Sequence, residues 1–378
     1  MAGRRPSGAH LAVAAAFVAL GVVDGTWAAR LPALQHRLGL DSSRLGLVIF
    51  SVSVAATLLL PVAGWLASRF GSRGPVGLGL VAAAGGLTLA PFAPSLALLV
   101  PAACVLGAGI GILDVGANAH AVTLERRVGR PILSVLHGTW SFGLLGGSGL
   151  AAAAAAWGVG LRLQFPVVAA ATLLLAAAVV PRLLPGAADA AVDTAHFALP
   201  SGALALPAFL TFCCMFVESA TMNWSAVFLA GPVRASAAVA AGGVVAFSIA
   251  MAFARLVGDR FVTRFGVAVL ARVGGLLTFG GMLLALATRS PVPALAGFAF
   301  VGAGCAAIVP ALFRIAAAAP GVSSGAGIAA VATAGYTGGV LNGPTIGFLS
   351  RGIGLTGALG SVALAGLVLA ALGPWLER

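Results

Sequence analysis

Apolar runs of about twenty residues follow one another along this chain with only short interruptions, at 9–29, 44–67, 75–93, 96–121, 132–156, 163–184, 203–229, 237–258, 267–287, 292–315, 325–347 and 355–376. A helix needs about 20 residues to cross the hydrocarbon core of a bilayer, so each run is long enough to span. In lipid every backbone N–H and C=O must find a partner within the protein, which leaves helices and closed barrels as the only spanning structures. A barrel strand alternates polar and apolar residues over ~10 positions. Stretches such as Ala151–Ala156 and Leu173–Val180 show no alternation. The sequence therefore predicts an all-α membrane protein with twelve transmembrane helices. Composition excludes a soluble alternative: 8% of residues are charged, against about 25% in a soluble domain.

The net charge is +12, and with no lysine in the chain all 21 cations are arginine. They stand singly or in small groups between apolar runs, which argues against a nucleic-acid stripe and for topology signals and headgroup anchors. With the N-terminus in the cytoplasm, fourteen arginines fall inside (4, 5, 69, 73, 126, 127, 130, 182, 255, 260, 264, 272, 314 and 378) and seven outside. This satisfies the positive-inside rule. The expected location is the plasma membrane, the cytoplasmic (inner) membrane of a bacterium, with both termini cytoplasmic. Residues 9–29 loosely resemble a signal peptide, but Asp24 interrupts them and eleven spans follow, so they read as a retained first helix. Cys104, Cys213, Cys214 and Cys305 lie in apolar runs without CxxC spacing and read as packing residues.

The longest polar connection, 185–202, carries Asp189, Asp193 and His196 and divides six spans from six. The expected organisation is an N-terminal six-helix bundle at 1–184, a flexible cytoplasmic linker at 185–202, and a C-terminal six-helix bundle at 203–378. The halves repeat. Asp24 matches Glu218, Gly107-Ala108-Gly109 matches Gly302-Ala303-Gly304, and Trp140, Gly143 and Gly147 match Tyr336, Gly339 and Gly343, at offsets of 194–196, and Ser68-Arg69-Phe70 with Arg73 matches Asp259-Arg260-Phe261 with Arg264 at an offset of 191. Two parallel six-helix repeats are a transporter architecture.

Chemistry is expected where the chain tolerates a costly group, since a charge at a helix centre costs about 3 kcal/mol on insertion scales. Asp24, Asp114 and Glu218 sit well inside spans and read as proton-coupling groups, each against the alternative of pairing with an arginine. Asp114 and Asn118 share a helix face at i, i+4, with glycines beside them that would open space for a solute. His120 reads as an interfacial side chain and Glu125 as a loop partner of Arg126 and Arg127. Trp27 lies one turn from Asp24, as an aromatic face for a solute or as an interfacial tryptophan. Glu218, Asn223 and Trp224 do not share a regular face, so either the helix breaks or Trp224 points away. His137, Trp140, Asn118, Asn223, Trp224, Asn342 and Trp27 complete the expected substrate-binding set. Gly143 and Gly147, and Gly335, Gly339, Gly343 and Gly347, let helices approach closely; their faces are expected to meet the other bundle. Asn342 and Pro344 would loosen span 11.

The pattern resembles the major facilitator superfamily over essentially the whole chain. The family's loop motif appears as Gly64-Trp65-Leu66-Ala67-Ser68-Arg69-Phe70-Gly71-Ser72-Arg73, with Ser68 where the family has Asp. A second copy keeps Asp259, Arg260 and Arg264 but has Arg255 for the leading glycine. The resemblance implies that Arg69, Arg73, Asp259, Arg260 and Arg264 serve the gate. Span 4 is similar to the fucose-permease branch of sugar–proton symporters through Gly109, Gly111, Asp114 and Asn118, with Asp for Glu. The segments DVGANAHAV and HGTWSFG also resemble bacterial members labelled as efflux or inner-membrane transporters. The expected function is secondary transport of a small solute by alternating access, proton-coupled and sugar-like. The alternative is proton-driven efflux of a drug-like or cationic compound. No catalytic residue, metal, cofactor or nucleic acid is implied; the expected partners are the solute, protons and lipid, and the expected state is a monomer.

Overall fold

In a computed structural model the chain is described at residues 8–129, 132–185, 202–320, 322 and 324–377. Most of the linker, including Asp189, Asp193 and His196, lies outside these residues, as do Arg4, Arg5, Arg130, Arg378 and the side chain of Asp259. The described residues form helices α1 (Gly8–Leu38), α2 (Ser42–Phe70), α3 (Arg73–Leu89), α4 (Leu96–Val128), α5 (Leu133–Ala156), α6 (Leu161–Val179), α7 (Ala205–Ala230), α8 (Ala237–Ala287), α9 (Pro291–Cys305), α10 (Ile308–Ala317) and α11 (Ser324–Leu372). Among them, ten helical stretches are long and apolar enough to cross a membrane. The last of these, Ala326–Leu376, contains two spans, and α5 adds 24 residues of glycine- and alanine-rich helix. The total is twelve.

Two joints explain why adjacent spans run together. Gly266 in α8 has φ 83° and Gly354 in α11 has φ 69°. Each reverses the chain with one left-handed residue, a conformation glycine adopts without steric cost. Span 10 is discontinuous in the opposite way. Helix α9 ends at Cys305 and α10 begins at Ile308. Irregular backbone at membrane depth survives only where protein satisfies it. Here Arg255 Nε donates to the Ala306 carbonyl at 3.3 Å, and the Cys214 thiol faces the Cys305 carbonyl at 3.6 Å.

The chain divides into two compact units, Met1–Trp27 with Ser51–Thr194, and Ala28–Phe50 with Ala195–Arg378. The core of the first joins Val13, Phe17 and Leu20 of α1, Leu80 of α3, Leu113 and Ala117 of α4, Leu136 of α5 and Val179 of α6. That of the second contains Trp224, Phe228, Phe247 and Phe298, with Phe228 and Phe298 edge to face at 6.1 Å.

Glycines set the helix spacing. A Cβ at Gly107 would lie 2.0 Å from the Val52 carbonyl oxygen, and one at Gly302 2.3 Å from that of Phe247. Both glycine and partner recur 195 positions later, so the sequence repeat is also a repeat of contacts. A Cβ at Gly109 would lie 2.2 Å from Ala83 N of α3, and one at Gly111 2.3 Å from the Ala56 carbonyl oxygen of α2. These two glycines close helix contacts; they do not open room for a solute beside Asp114, as the sequence led us to expect. Gly143 and Gly147 meet the Val18 and Val22 carbonyls of α1, inside their own unit. The expectation that this face meets the other bundle is corrected: α1 is the neighbour that lacks bulk at the matching positions, Gly21 and Gly25. Gly335 and Gly338 pack on α7, whereas Gly343 and Gly347 pack on Gly46 of α2. Helix α11 continues through Asn342 and Pro344 without a break there.

Candidate functional site

The first unit gathers polar side chains from α1, α4 and α5. Asn118 stands one turn after Asp114 on α4, and its Nδ2 donates to Asp114 Oδ1 at 2.9 Å and to the Asp114 carbonyl at 2.9 Å. That leaves Asn118 Oδ1 facing His137 Nε2 of α5 at 3.0 Å. A carbonyl oxygen only accepts, so Nε2 carries a hydrogen and donates. His137 is exposed and lies 5.2 Å, ring to ring, from Phe17 of α1. One turn along α5, Trp140 Nε1 donates to Asp24 Oδ2 of α1 at 3.1 Å. Asp24, Asp114, Asn118 and Trp140 are all half-buried. Among the described residues, neither aspartate has a cationic partner.

The glycine seam explains how the two sides of this cluster reach each other. Gly21 and Gly25 of α1 lie against the backbone of α5 at Trp140 and Leu144, with no side chain between them. Asp24, on the same stretch of α1, is thereby brought within reach of the indole. Trp27 is elsewhere. It is 4% exposed, with its ring 6.3 Å from that of Phe165 on α6. It packs in the core and does not join the carboxylate cluster.

Glu218, the counterpart of Asp24, has a different environment. Arg255 Nη2 of α8 stands 3.4 Å from Glu218 Oε1. The arginine that replaces the leading glycine of the second loop motif thus binds both Glu218 and the broken backbone of span 10. Helix α7 is unbroken, and Trp224 is fully buried, so the tryptophan points into the core. Asn223 Nδ2 donates to the Ser219 carbonyl at 2.9 Å. Asn342 is fully buried; its Nδ2 donates to the Gly339 carbonyl, and its Oδ1 has no hydrogen-bond partner among the described residues. The Trp224 Nε1 is likewise unpartnered.

The loop arginines engage local groups. Arg69 lies 5.9 Å from the Trp65 ring and 5.7 Å from the Phe70 ring, and Arg264 lies 5.2 Å from the Phe265 ring. Arg260 is exposed and Arg73 half-buried at the start of α3. Glu125 is engaged by the backbone: its Oε2 accepts from Ile132 N at 2.8 Å and Leu133 N at 3.1 Å, capping α5. This cap takes the place of the loop pairing with Arg126 and Arg127 that the sequence suggests. The signal was an acid a few residues before a helix, where the dipole favours negative charge. His120 is fully buried. Its Nδ1 is 2.8 Å from Ser72 Oγ, and its Nε2 accepts from Leu184 N at 3.4 Å.

Comparison with known proteins places this architecture. No protein-family model matches the chain. An uncharacterised MFS-type transporter of Yersinia pestis is 33% identical over 359 residues, covering 94% of this chain and 92% of that protein. The fold matches the nucleoside transporter NupG with a TM-score of 0.77 at 16% identity, covering 97% and 99% of the two chains. It matches a D-xylose–proton symporter with a TM-score of 0.77 at 13% identity, covering 96% of each. Twelve apolar helices and these relatives define a multi-pass membrane transporter. The chain belongs to the major facilitator superfamily.

Proposed function

We propose that the protein carries a small, polar, sugar-like solute together with protons by alternating access of its two repeats. The observation that carries this reading is the contrast among the three membrane acids. Asp24 and Asp114 are held by neutral donors, the Trp140 indole and the Asn118 amide. Glu218 has an arginine. A half-buried carboxylate without a cation gains by taking up a proton, because protonation removes a charge that is costly away from water. Asp24 and Asp114 therefore carry the proton, and Glu218 serves the fold. Asn118, His137 and Trp140 meet the solute from the first unit. Asn223, Trp224 and Asn342 belong to the second, where Trp224 is closed into the core and the unpartnered Asn342 Oδ1 is a group a hydroxylated solute would satisfy. Trp27 supports the site from behind. Arg69, Arg73, Asp259, Arg260 and Arg264 work the gate, so Arg69→Ala and Arg260→Ala slow turnover more than they weaken binding. The D-xylose–proton symporter shares the fold, which supports the coupling but does not identify the solute. Efflux of an organic cation bound at Glu218 and Trp224 is disfavoured, since Glu218 is paired and Trp224 is sealed.

The test is uptake of a panel of labelled sugars into proteoliposomes under an imposed pH gradient. Asp114→Asn keeps the shape and removes the titrating group. It is expected to abolish accumulation while leaving counterflow exchange in place, and Glu218→Gln is expected to keep accumulation. If Asp114→Asn still concentrates its solute, the coupling role of Asp114 is lost.

A further inference from the structure

A cavity of about 330 Å³ opens within the second unit, between the C-terminal part of α1 and the start of α8. Its size is at the lower end for small-molecule sites. Arg30 and His36 of α1 line it, with Pro32, Ala230, Ala235 and Ala237. Its lining holds two nitrogen bases and no carboxylate. Arg30 is only 6% exposed, and a guanidinium is charged at every physiological pH. A solute entering the cavity therefore meets a fixed positive charge and no acid in its lining.

The other wall adds to the same sign. Ser236 caps α8, its Oγ accepting from Val239 N at 3.4 Å. The first N–H groups of a helix have no acceptor within the helix, and the positive end of the helix dipole faces the same direction. Ala237, the first residue of α8, lines the cavity. The remaining lining is alanine and proline, short apolar surface suited to a carbon skeleton. The cavity shares no residue with the Asp24–Asp114 cluster.

The geometry points to a binding site for a small organic carboxylate in this cavity, held by Arg30 and His36 and backed by the N-terminus of α8. The carboxylate oxygens would accept from the guanidinium and from the α8 backbone, and the imidazole would contribute a donor. The alanines and proline would meet the carbon chain. The site is distinct from the proposed proton path and stands whether or not its occupant is carried across the membrane.

Gluconate, a polyhydroxy carboxylate, and glucose, its uncharged relative, are the probes. The full chain is purified in nanodiscs of phosphatidylcholine, which expose both faces, and each probe is titrated by calorimetry. Gluconate is expected to saturate one site, and glucose is expected to leave no signal there. Arg30→Gln should weaken gluconate at least tenfold and His36→Gln several-fold. Because Arg30 is buried, its variant could lose binding by misfolding. Ala237→Trp is the second probe: Ala237 is exposed, so an indole there fills the cavity with both bases intact. It should abolish binding without lowering the melting temperature. Asp114→Asn should bind gluconate as the wild type does, which separates this site from the transport reading. Absence of gluconate binding, equal binding of glucose, or unchanged binding in Ala237→Trp would overturn the proposal. So would loss of gluconate binding when phosphatidylglycerol is added to the discs, since the occupant would then be a lipid headgroup.

Discussion

Asp24 and Glu218 stand at matching positions of the repeat, yet one faces an indole N–H and the other a guanidinium. The acids were legible in the sequence because a charge within an apolar run is expensive. Their partners were not. Arg255 sits among the loop arginines, and only the fold reveals that it turns inward to Glu218 and Ala306. Trp140 was legible as a neighbour of His137 but not as the partner of Asp24, which is 116 residues away. A hydrogen bond to a charged acceptor is worth about 1.5–3 kcal/mol, and the bond weakens when the acceptor is protonated. Trp140→Phe keeps the ring and removes the donor. In proteoliposomes it is expected to lower the initial rate of uptake driven by a pH gradient about tenfold, with a smaller effect on counterflow. Equal losses in both assays would mean that the indole serves binding and not coupling.

Helix starts mostly followed the apolar runs, because each span must supply its own hydrogen bonds in lipid, but α1 and α4 continue past theirs, to Leu38 and Val128. The close-packing glycines could be found too, but not their neighbours. Spacing shows that a face is flat, whereas the neighbour depends on which helix offers a matching flat face, and for Gly143 and Gly147 that is α1. The break between α9 and α10 follows from Pro310, which has no N–H for the Ala306 carbonyl four residues before it; that Arg255, from another helix, takes up this carbonyl is visible only in the fold. The seam between α1 and α5 makes a direct prediction. A Cβ at Gly147 would lie 2.3 Å from the Val22 carbonyl oxygen, whereas Gly146, its neighbour, has open space at that point. Gly147→Val should cost about 1–3 kcal/mol through overpacking and lower the melting temperature in detergent. Gly146→Ala should leave it nearly unchanged. A neutral Gly147→Val would mean that α1 and α5 are not held together by this contact.

At the scale of the whole chain, an even count of twelve spans and the arginine distribution lead us to expect both ends in the cytoplasm. Activity reporters fused at residue 378 and inserted within 185–202 should both report a cytoplasmic location. A split result would break the span count for one half. The repeat, legible from four short matches, extends to the contacts themselves: Gly107 on Val52 and Gly302 on Phe247. The discontinuity in span 10 bears on biosynthesis. Helix α10 has ten residues, about 15 Å at 1.5 Å per residue, half the depth of the hydrocarbon layer. Alone it could not be retained in a bilayer, so α9 must carry it in. The groups that receive the freed carbonyls, Cys214 and Arg255, belong to α7 and α8. Both are translated earlier. As the ribosome delivers span 10, the donors for its exposed backbone are already in the membrane, and the order of the chain is also an order of assembly.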